Sequence, residues 1–315
     1  MTDLPQAPLH VAFNIDAHYV QYCAVTMVSL LEHHRHRAVV FHIVAESLDG
    51  PQREQLRSLA GRYGAKVHYY APKAGELDGF SIRKFSGRVS MATYYRCLLS
   101  DLLPESLDRV LYLDCDILVL DRLDEFYDLP LGDDVPVAAV EDIAADEHAR
   151  YTLLEYPADD SYFNAGVLLV NLKWWREHGV GDACKQLYRA NPSRFVFNDQ
   201  DLLNCLFHAT RRLVPLRWNM QDGFYRPLPK FAADWHKAHR AELRRPAILH
   251  FTNRKPWEYD NMHPLRRLYF DYLALTPWAD EADKLRKTTP RLRRWLKLLP
   301  YALHLRKPKY IELPE

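Results

Sequence analysis

Residues 110–119 read VLYLDCDILV, an apolar run interrupted by two carboxylates, Asp114 and Asp116. Residues i and i+2 of a strand point to one side, so both acids can face one small volume. Two like charges held there repel unless a cation sits between them or one is protonated. Hard divalent cations prefer oxygen ligands and leave coordination positions for phosphate oxygens. Asp-x-Asp occurs twice in the chain, so the spacing alone is weak; the apolar strand leading into Asp114 is what favours a site.

Four other segments carry groups of the same kind. His250 ends the run 247–249 (AIL) and precedes FTNRKPW. Such a His is ordinarily a packed core side chain, yet Lys255 five residues on would supply a cation for phosphates. Residues 195–207 read FVFNDQDLLNCLF, placing Asp199, Gln200 and Asp201 where a loop meets a helix. Asn198 or Asp199 can serve as the N-cap; capping does not explain all three polar residues. Residues 162–172 (YFNAGVLLVNL) put Asn164, Ala165 and Gly166 ahead of a buried strand. The glycine there either admits a ligand close to the backbone or makes a simple turn. Asn14, Asp16 and Tyr19 close the first apolar run, where Asp16 can cap a helix or contact a base or ribose. No G-x-G-x-x-G and no G-x-x-x-x-G-K-[ST] occurs, so a glycine loop does not hold the phosphates and a metal must.

The elements that would position these groups alternate in type. Strands are expected at 9–15, 39–45, 66–71 and 109–113, and helices at 19–33, 51–63 and 92–103. That alternation indicates βαβ units and a largely parallel sheet, with ligands beyond the carboxyl ends of the strands. Further strands are expected at 135–140, 167–171 and 247–251, and helical runs at 174–178 and 201–208. Residues 142–162 are polar without clear periodicity, which suggests a loop system or lid.

The chain has 315 residues, of which 48% are hydrophobic and 26% charged, values ordinary for a globular protein. This excludes a disordered or fibrous chain, and no apolar stretch reaches the ~18–20 residues a spanning helix needs. Five cysteines without C-x-x-C spacing argue against a disulfide framework or zinc knot and for a reducing compartment. The first residues, MTDLP, lack a signal-peptide pattern, so a cytoplasmic protein is expected. Net charge is +1, but ten Lys or Arg and no acid fall between residues 284 and 310. Residues 1–283 therefore hold 32 basic against 39 acidic groups, a net of −7. Two regions are expected: a catalytic body, 1–283, and a basic tail, 284–315, containing RLRRWLKLLPYALHLRKPKY. Leu, Trp and Tyr between cationic clusters suit a helix lying in an anionic membrane surface; a solvated end or a nucleic-acid contact leaves that apolar content unused.

In order, VLYLDCDILV, SYFNAGVLLVNLKWWR, NDQDLLNCLF and the H…KPW block resemble the family 8 glycosyltransferases, over about residues 11–257. The likeness is to bacterial galactosyl- and glucosyltransferases that build lipopolysaccharide oligosaccharide, some of which carry a basic C-terminal membrane segment. It implies an α/β fold of GT-A type, a mixed, mostly parallel sheet flanked by helices. It also implies a UDP-sugar donor (UDP-galactose or UDP-glucose), Mn2+ with Mg2+ as the alternative, and transfer with retention to a saccharide acceptor, with no nucleic-acid partner. Carried over, Asp114, Asp116 and His250 would ligate the metal; Asn14, Asp16, Tyr19 and the Cys115 backbone would hold uridine and ribose; Lys255 would reach the phosphates. Arg96, Asn164, Ala165, Asp199 and Gln200 would hold the sugar, Gln200 nearest the anomeric carbon, with Asp201 behind it. The family usually has a Gly between this His and Lys. Here HFTNRKPW has none, and Asn253, which tolerates positive φ, is expected to replace it. The rival readings are a sugar-nucleotide hydrolase or nucleotidyltransferase, and a non-catalytic UDP-sugar-binding protein at a membrane.

Overall fold

The computed structural model describes residues 6–82, 90–232, 234–288, 291–303 and 305–313. Its strands are β1 Leu9–Asn14, β2 Val39–Val44, β3 Lys66–Tyr70, β4 Arg109–Leu113, β5 Ile117–Val119, β6 Val137–Glu141, β7 Phe163–Asn171, β8 Arg212–Leu213, β9 Met220–Gln221 and β10 Ile248–His250. Seven form a sheet in the order β3-β2-β1-β4-β7-β6-β8, and the remaining three a small sheet, β5-β10-β9. In the large sheet β7 alone runs against its neighbours β4 and β6. The mixed, mostly parallel α/β architecture is the one the alternation implies.

Near-continuous apolar strands such as β1 are what a sheet covered on both faces requires. Leu9, Val11 and Phe13 of β1 face a core shared with the helices Val20–His33 and Gly50–Gly61. Ala12 faces the other side, packed with the helices Val180–Ala190 and Asp199–Phe207. Gly50–Gly61 starts at a reciprocal cap: Gln52 N–H donates to Asp49 Oδ1 at 2.7 Å and Asp49 N–H to Gln52 Oε1 at 3.2 Å.

The strand expected at 109–113 is β4, but two other expectations need correction. Asp114 and Asp116 are not i and i+2 of a strand: β4 ends at Leu113, β5 begins at Ile117, and Asp114–Cys115–Asp116 is the turn between the two sheets. The helix expected at 92–103 is mostly a 3₁₀ run, Met91–Leu98, continued by a short α turn, Leu99–Leu102. In a 3₁₀ run residues i and i+3 eclipse, so Thr93 and Arg96 share one side. The segment 142–162 holds a helix, His148–Leu154, and a 3₁₀ turn, Ala158–Asp160.

The basic segment forms the helices Glu281–Thr288 and Arg291–Ala302. Beyond them Tyr310, Ile311 and Leu313 pack on the apolar cluster around Phe224, Leu249 and Phe251. Among the described residues no helix is long and apolar enough to cross a membrane.

Candidate active site

The β4–β5 turn delivers Asp114 and Asp116 to the end of β10, and one ligand atom from each of Asp114, Asp116 and His250 lies within 4.8 Å of the others. His250 Nε2 is 3.2 Å from Asp116 Oδ1 and 4.0 Å from Asp114 Oδ2. Their approach depends on Gly166: a Cβ there would stand 2.2 Å from His250 Cε1 and 2.8 Å from Asp114 Oδ2. The glycine thus admits the two side chains to β7.

A hydrogen-bond chain fixes the imidazole. The Asp142 carboxylate can only accept, so Asn164 Nδ2–H donates to it at 2.8 Å. Asn164 Oδ1 then accepts from Gly166 N–H at 3.0 Å and from Asn219 Nδ2–H at 2.8 Å. Asn219 Oδ1 is left to accept from His250 Nδ1–H at 2.9 Å. With Nδ1 given to Asn219, Nε2 faces the two carboxylates, an arrangement that a divalent cation satisfies and that matches the usual support of a metal-bound His. Two oxygen donors and one nitrogen fit Mn2+ or Mg2+.

Two cations flank the trio. Lys255 Nζ donates to Asp116 Oδ2 and, at 2.8 Å, to Phe251 O. Burial alone would raise the Asp116 pKa, but Lys255 and His250 beside it hold the carboxyl well below its usual range. Arg96 is buried; it donates to Asp114 Oδ1 at 2.8 Å and to Ala165 O at 2.6 Å, and its Nε lies 2.8 Å from Asp199 Oδ2. The Tyr112 hydroxyl also donates to Asp114 Oδ1, at 2.8 Å. Thr93 donates to Asp199 Oδ1 from the same side of the 3₁₀ run as Arg96. Burial pushes the Asp199 carboxyl up to about 6, against the opposing pull of Arg96.

These groups line a cavity of about 1010 Å3 at the carboxyl ends of β1 and β4. Asn14, Asp16, Tyr19 and Cys115 form one wall. Neither Asn14 Nδ2 nor Oδ1 has a hydrogen-bonding partner among the described residues, although both atoms are buried. Asp16 is not a helix cap: its Oδ1 accepts from His18 N–H at 2.9 Å in the preceding turn. The Cys115 thiol is pushed up by burial and by Cys23 beside it.

The helix Asp199–Phe207 separates its three polar residues. Gln200 lines the cavity; its Oε1 accepts from Ala165 N–H at 2.9 Å and its Nε2–H donates to Asp142 Oδ2 at 3.2 Å. Asp199 sits behind, with Arg96 and Thr93. Asp201 is 1% exposed and does not line the cavity; it accepts from the Tyr162 hydroxyl at 2.5 Å and Phe197 N–H at 2.7 Å. Ala165 contributes only backbone, which ties Arg96 to Gln200.

Asn253 lines the cavity with Lys255 but does not take positive φ; among the described non-glycine residues only Glu155 and Asn198 do. Thr252 N–H donates to His250 O at 3.0 Å, and this tight turn brings Lys255 round without a left-handed residue. Asn219, Asp142, Tyr112 and Asp222 were not singled out by sequence. Asp142 had a readable signal: like Asp114, it follows an apolar strand, β6, that runs parallel to β8 and ends on the same side as β4. The far wall, made by 142–150 and 222–230, is clasped where Lys230 Nζ donates to Asp146 Oδ1 at 2.7 Å.

A family model, Glycosyl transferase family 8, matches residues 10–261. General stress protein A of Bacillus subtilis is 27% identical over 276 residues, covering 86% of this chain and 94% of its own. Lipopolysaccharide 1,2-glucosyltransferase of Escherichia coli is 24% identical over 279 residues, covering 88% and 80%. Lipopolysaccharide 1,3-galactosyltransferase of Salmonella typhimurium is 24% identical over 276 residues, covering 86% and 79%. Among solved structures, galactosyltransferase LgtC in complex with donor and acceptor sugar analogs shares the fold at TM-score 0.75 and 24% identity, covering 91% of this chain and 99% of that one. The fold is therefore of GT-A type.

Proposed function

This chain belongs to glycosyl transferase family 8, and on that premise we propose that it moves galactose or glucose from a UDP-sugar to a hydroxyl of a saccharide acceptor of the lipopolysaccharide-core class, with retention. The observation that carries the reading is the meeting of Asp114, Asp116 and His250 at one end of a cavity large enough for donor and acceptor, with Gln200 also on its lining. In this reading Asp114, Asp116 and His250 hold Mn2+, or Mg2+, which when bound supplies the positive charge that offsets the departing diphosphate. Lys255 stands beside them as a second cation for the same phosphates. Asn14, with two unsatisfied polar atoms, meets the uracil or ribose, alongside Asp16, Tyr19 and the Cys115 backbone.

Retaining glycosidases use a carboxylate nucleophile close to the scissile bond. Among the described residues, none of the three carboxylates bonded or adjacent to Gln200 is free for that role. Asp142 holds Asn164 and Gln200, Asp199 is locked by Arg96 and Thr93, and Asp201 is buried against Tyr162. An amide is a poor nucleophile, so front-face displacement follows, with Gln200 Oε1 steadying an oxocarbenium-like transition state through its remaining lone pair. Covalently bound sugar on Gln200 or Asp201 during turnover would overturn this mechanism.

The same proposal places the enzyme on the cytoplasmic face of an anionic membrane. Trp295 and Leu296, both more than half exposed on the basic helix Arg291–Ala302, support that placement. A panel of UDP-sugars with Mn2+, followed for UDP release with and without a truncated core oligosaccharide, tests the activity. Acceptor-dependent release and a glycosylated product are expected; equal release without acceptor would make the protein a hydrolase.

A further inference from the structure

The tail does more than carry a basic helix. Past that helix the chain returns to the body, where Ile311 N–H donates to Tyr225 O at 2.8 Å and the Tyr310 hydroxyl to Asp222 Oδ1 at 2.8 Å. The Tyr310 ring packs edge-on against His263, itself buried between Tyr225 and Phe251. Phe251 directly follows the ligand candidate His250. This strap therefore lies immediately behind the 3₁₀ turn Asp222–Tyr225, two of whose residues, Asp222 and Gly223, line the cavity.

From that turn the contacts run inward. A Cβ at Gly223 would stand 2.3 Å from Ile143 Cγ1, so the two walls touch without slack. Gln221 clamps the same neighbour, its Oε1 accepting from Ile143 N–H at 2.8 Å and its Nε2–H donating to Glu141 O at 2.8 Å. Ile143 adjoins Asp142, which holds Gln200. Asp222 is fully buried and its Oδ2 has no hydrogen-bonding partner among the described residues, so Tyr310 is the one hydroxyl that fixes this carboxylate. Without it, a buried charge under the wall has no described donor, and the turn has reason to move.

We infer that Tyr310 is a positioning residue for acceptor binding: the strap Tyr310–Leu313 sets the wall formed by 222–230, which leaves the small sheet beside His250 and runs out to Lys230 at Asp146. The inference rests on the transferase reading for its acceptor. It also separates the tail into two parts, a helix that meets the membrane and a strap that belongs to the catalytic body.

The test compares full-length protein with Tyr310→Phe and with a chain ending at Lys309, both of which keep Trp295 and Leu296. For both variants the expected result is a KM for the core oligosaccharide raised about fivefold or more, with Mn2+-dependent UDP affinity, acceptor-free UDP release and binding to anionic vesicles within twofold of the parent. Hydrogen exchange without any substrate should quicken across 222–230 and stay unchanged at 248–250. Unchanged exchange at 222–230 overturns the inference, whatever the activity. So does an unchanged acceptor KM, or a parallel loss of UDP affinity and thermal stability, which marks a merely structural strap. Failure of the parent enzyme to glycosylate any acceptor counts instead against the transferase reading, and exchange still decides the strap.

Discussion

His250 and Asn219 are 31 residues apart in sequence and 2.9 Å apart in space, and their hydrogen bond settles which imidazole nitrogen faces the two aspartates. The bond draws its direction from Asp142 and the Gly166 amide at the far end of the chain of amides. The candidate ligand His250 is here oriented by residues on three separate segments, Asn219, the β7 pair Asn164 and Gly166, and Asp142.

Replacing Asn219 by Ala frees the ring and both tautomers. Mn2+ affinity is expected to fall about 10–100-fold, the usual loss when such support is removed. Calorimetric titration with Mn2+ in the presence of UDP measures it; an affinity within twofold of the parent would mean the imidazole does not bind metal.

Gly166→Ala drives a methyl group into His250 and Asp114. Overpacking of this kind destabilises by about 1–3 kcal/mol. Urea unfolding should register that loss, and Mn2+-dependent UDP binding should weaken by at least an order of magnitude, because the trio can no longer close. Full binding with an unchanged midpoint would show that β7 yields freely.

Gln200 and Asp201 are neighbours with opposite fates. Gln200→Ala should lower kcat on the order of 10²-fold or more with little change in unfolding midpoint, since the amide faces the cavity. Asp201→Ala leaves the buried Tyr162 hydroxyl and Phe197 amide without their acceptor, and should cost about 1–3 kcal/mol of stability. Kinetics and urea melts on both variants separate the roles; a stable but inactive Asp201→Ala protein would transfer the chemistry to Asp201.

Much of this could be read from the chain, for a physical reason. A buried strand ending in a polar residue is a local pattern, and Asp114, His250 and Asn14 all announce themselves that way. The βαβ alternation is local too. Asn219 carries no such mark: its meaning comes from partners 55 and 31 residues away. The end of β4 at Leu113 is legible, but that 117–119 starts a strand of a second sheet is not, because the residues on both sides of the two aspartates are equally apolar and only pairing in different sheets sets them apart. The 3₁₀ form of Met91–Leu98 and the return of Tyr310 to Asp222 likewise depend on distant contacts.

Buried histidines give the fold a defined acid limit. Burial holds His263 at about 3, and burial with His10 and His68 nearby does the same for His42, against a usual 6.5. Between those values the unfolded chain binds protons that the folded chain refuses, so stability is full above about 6.5 and falls as pH drops toward 3. The loss is on the order of a few kcal/mol for each histidine. In His263→Phe this acid limb should flatten, read as thermal midpoint against pH; an identical slope would mean His263 titrates normally.

The most direct test of the metal centre is Mn2+-dependent UDP binding by the parent and by Asp116→Ala. Removing one carboxylate should abolish that binding and all sugar transfer while circular dichroism and the unfolding transition stay those of a folded protein. If Asp116→Ala still binds UDP in a Mn2+-dependent way with the parent's affinity, the cation is not held by Asp114, Asp116 and His250, and the account of the site is wrong.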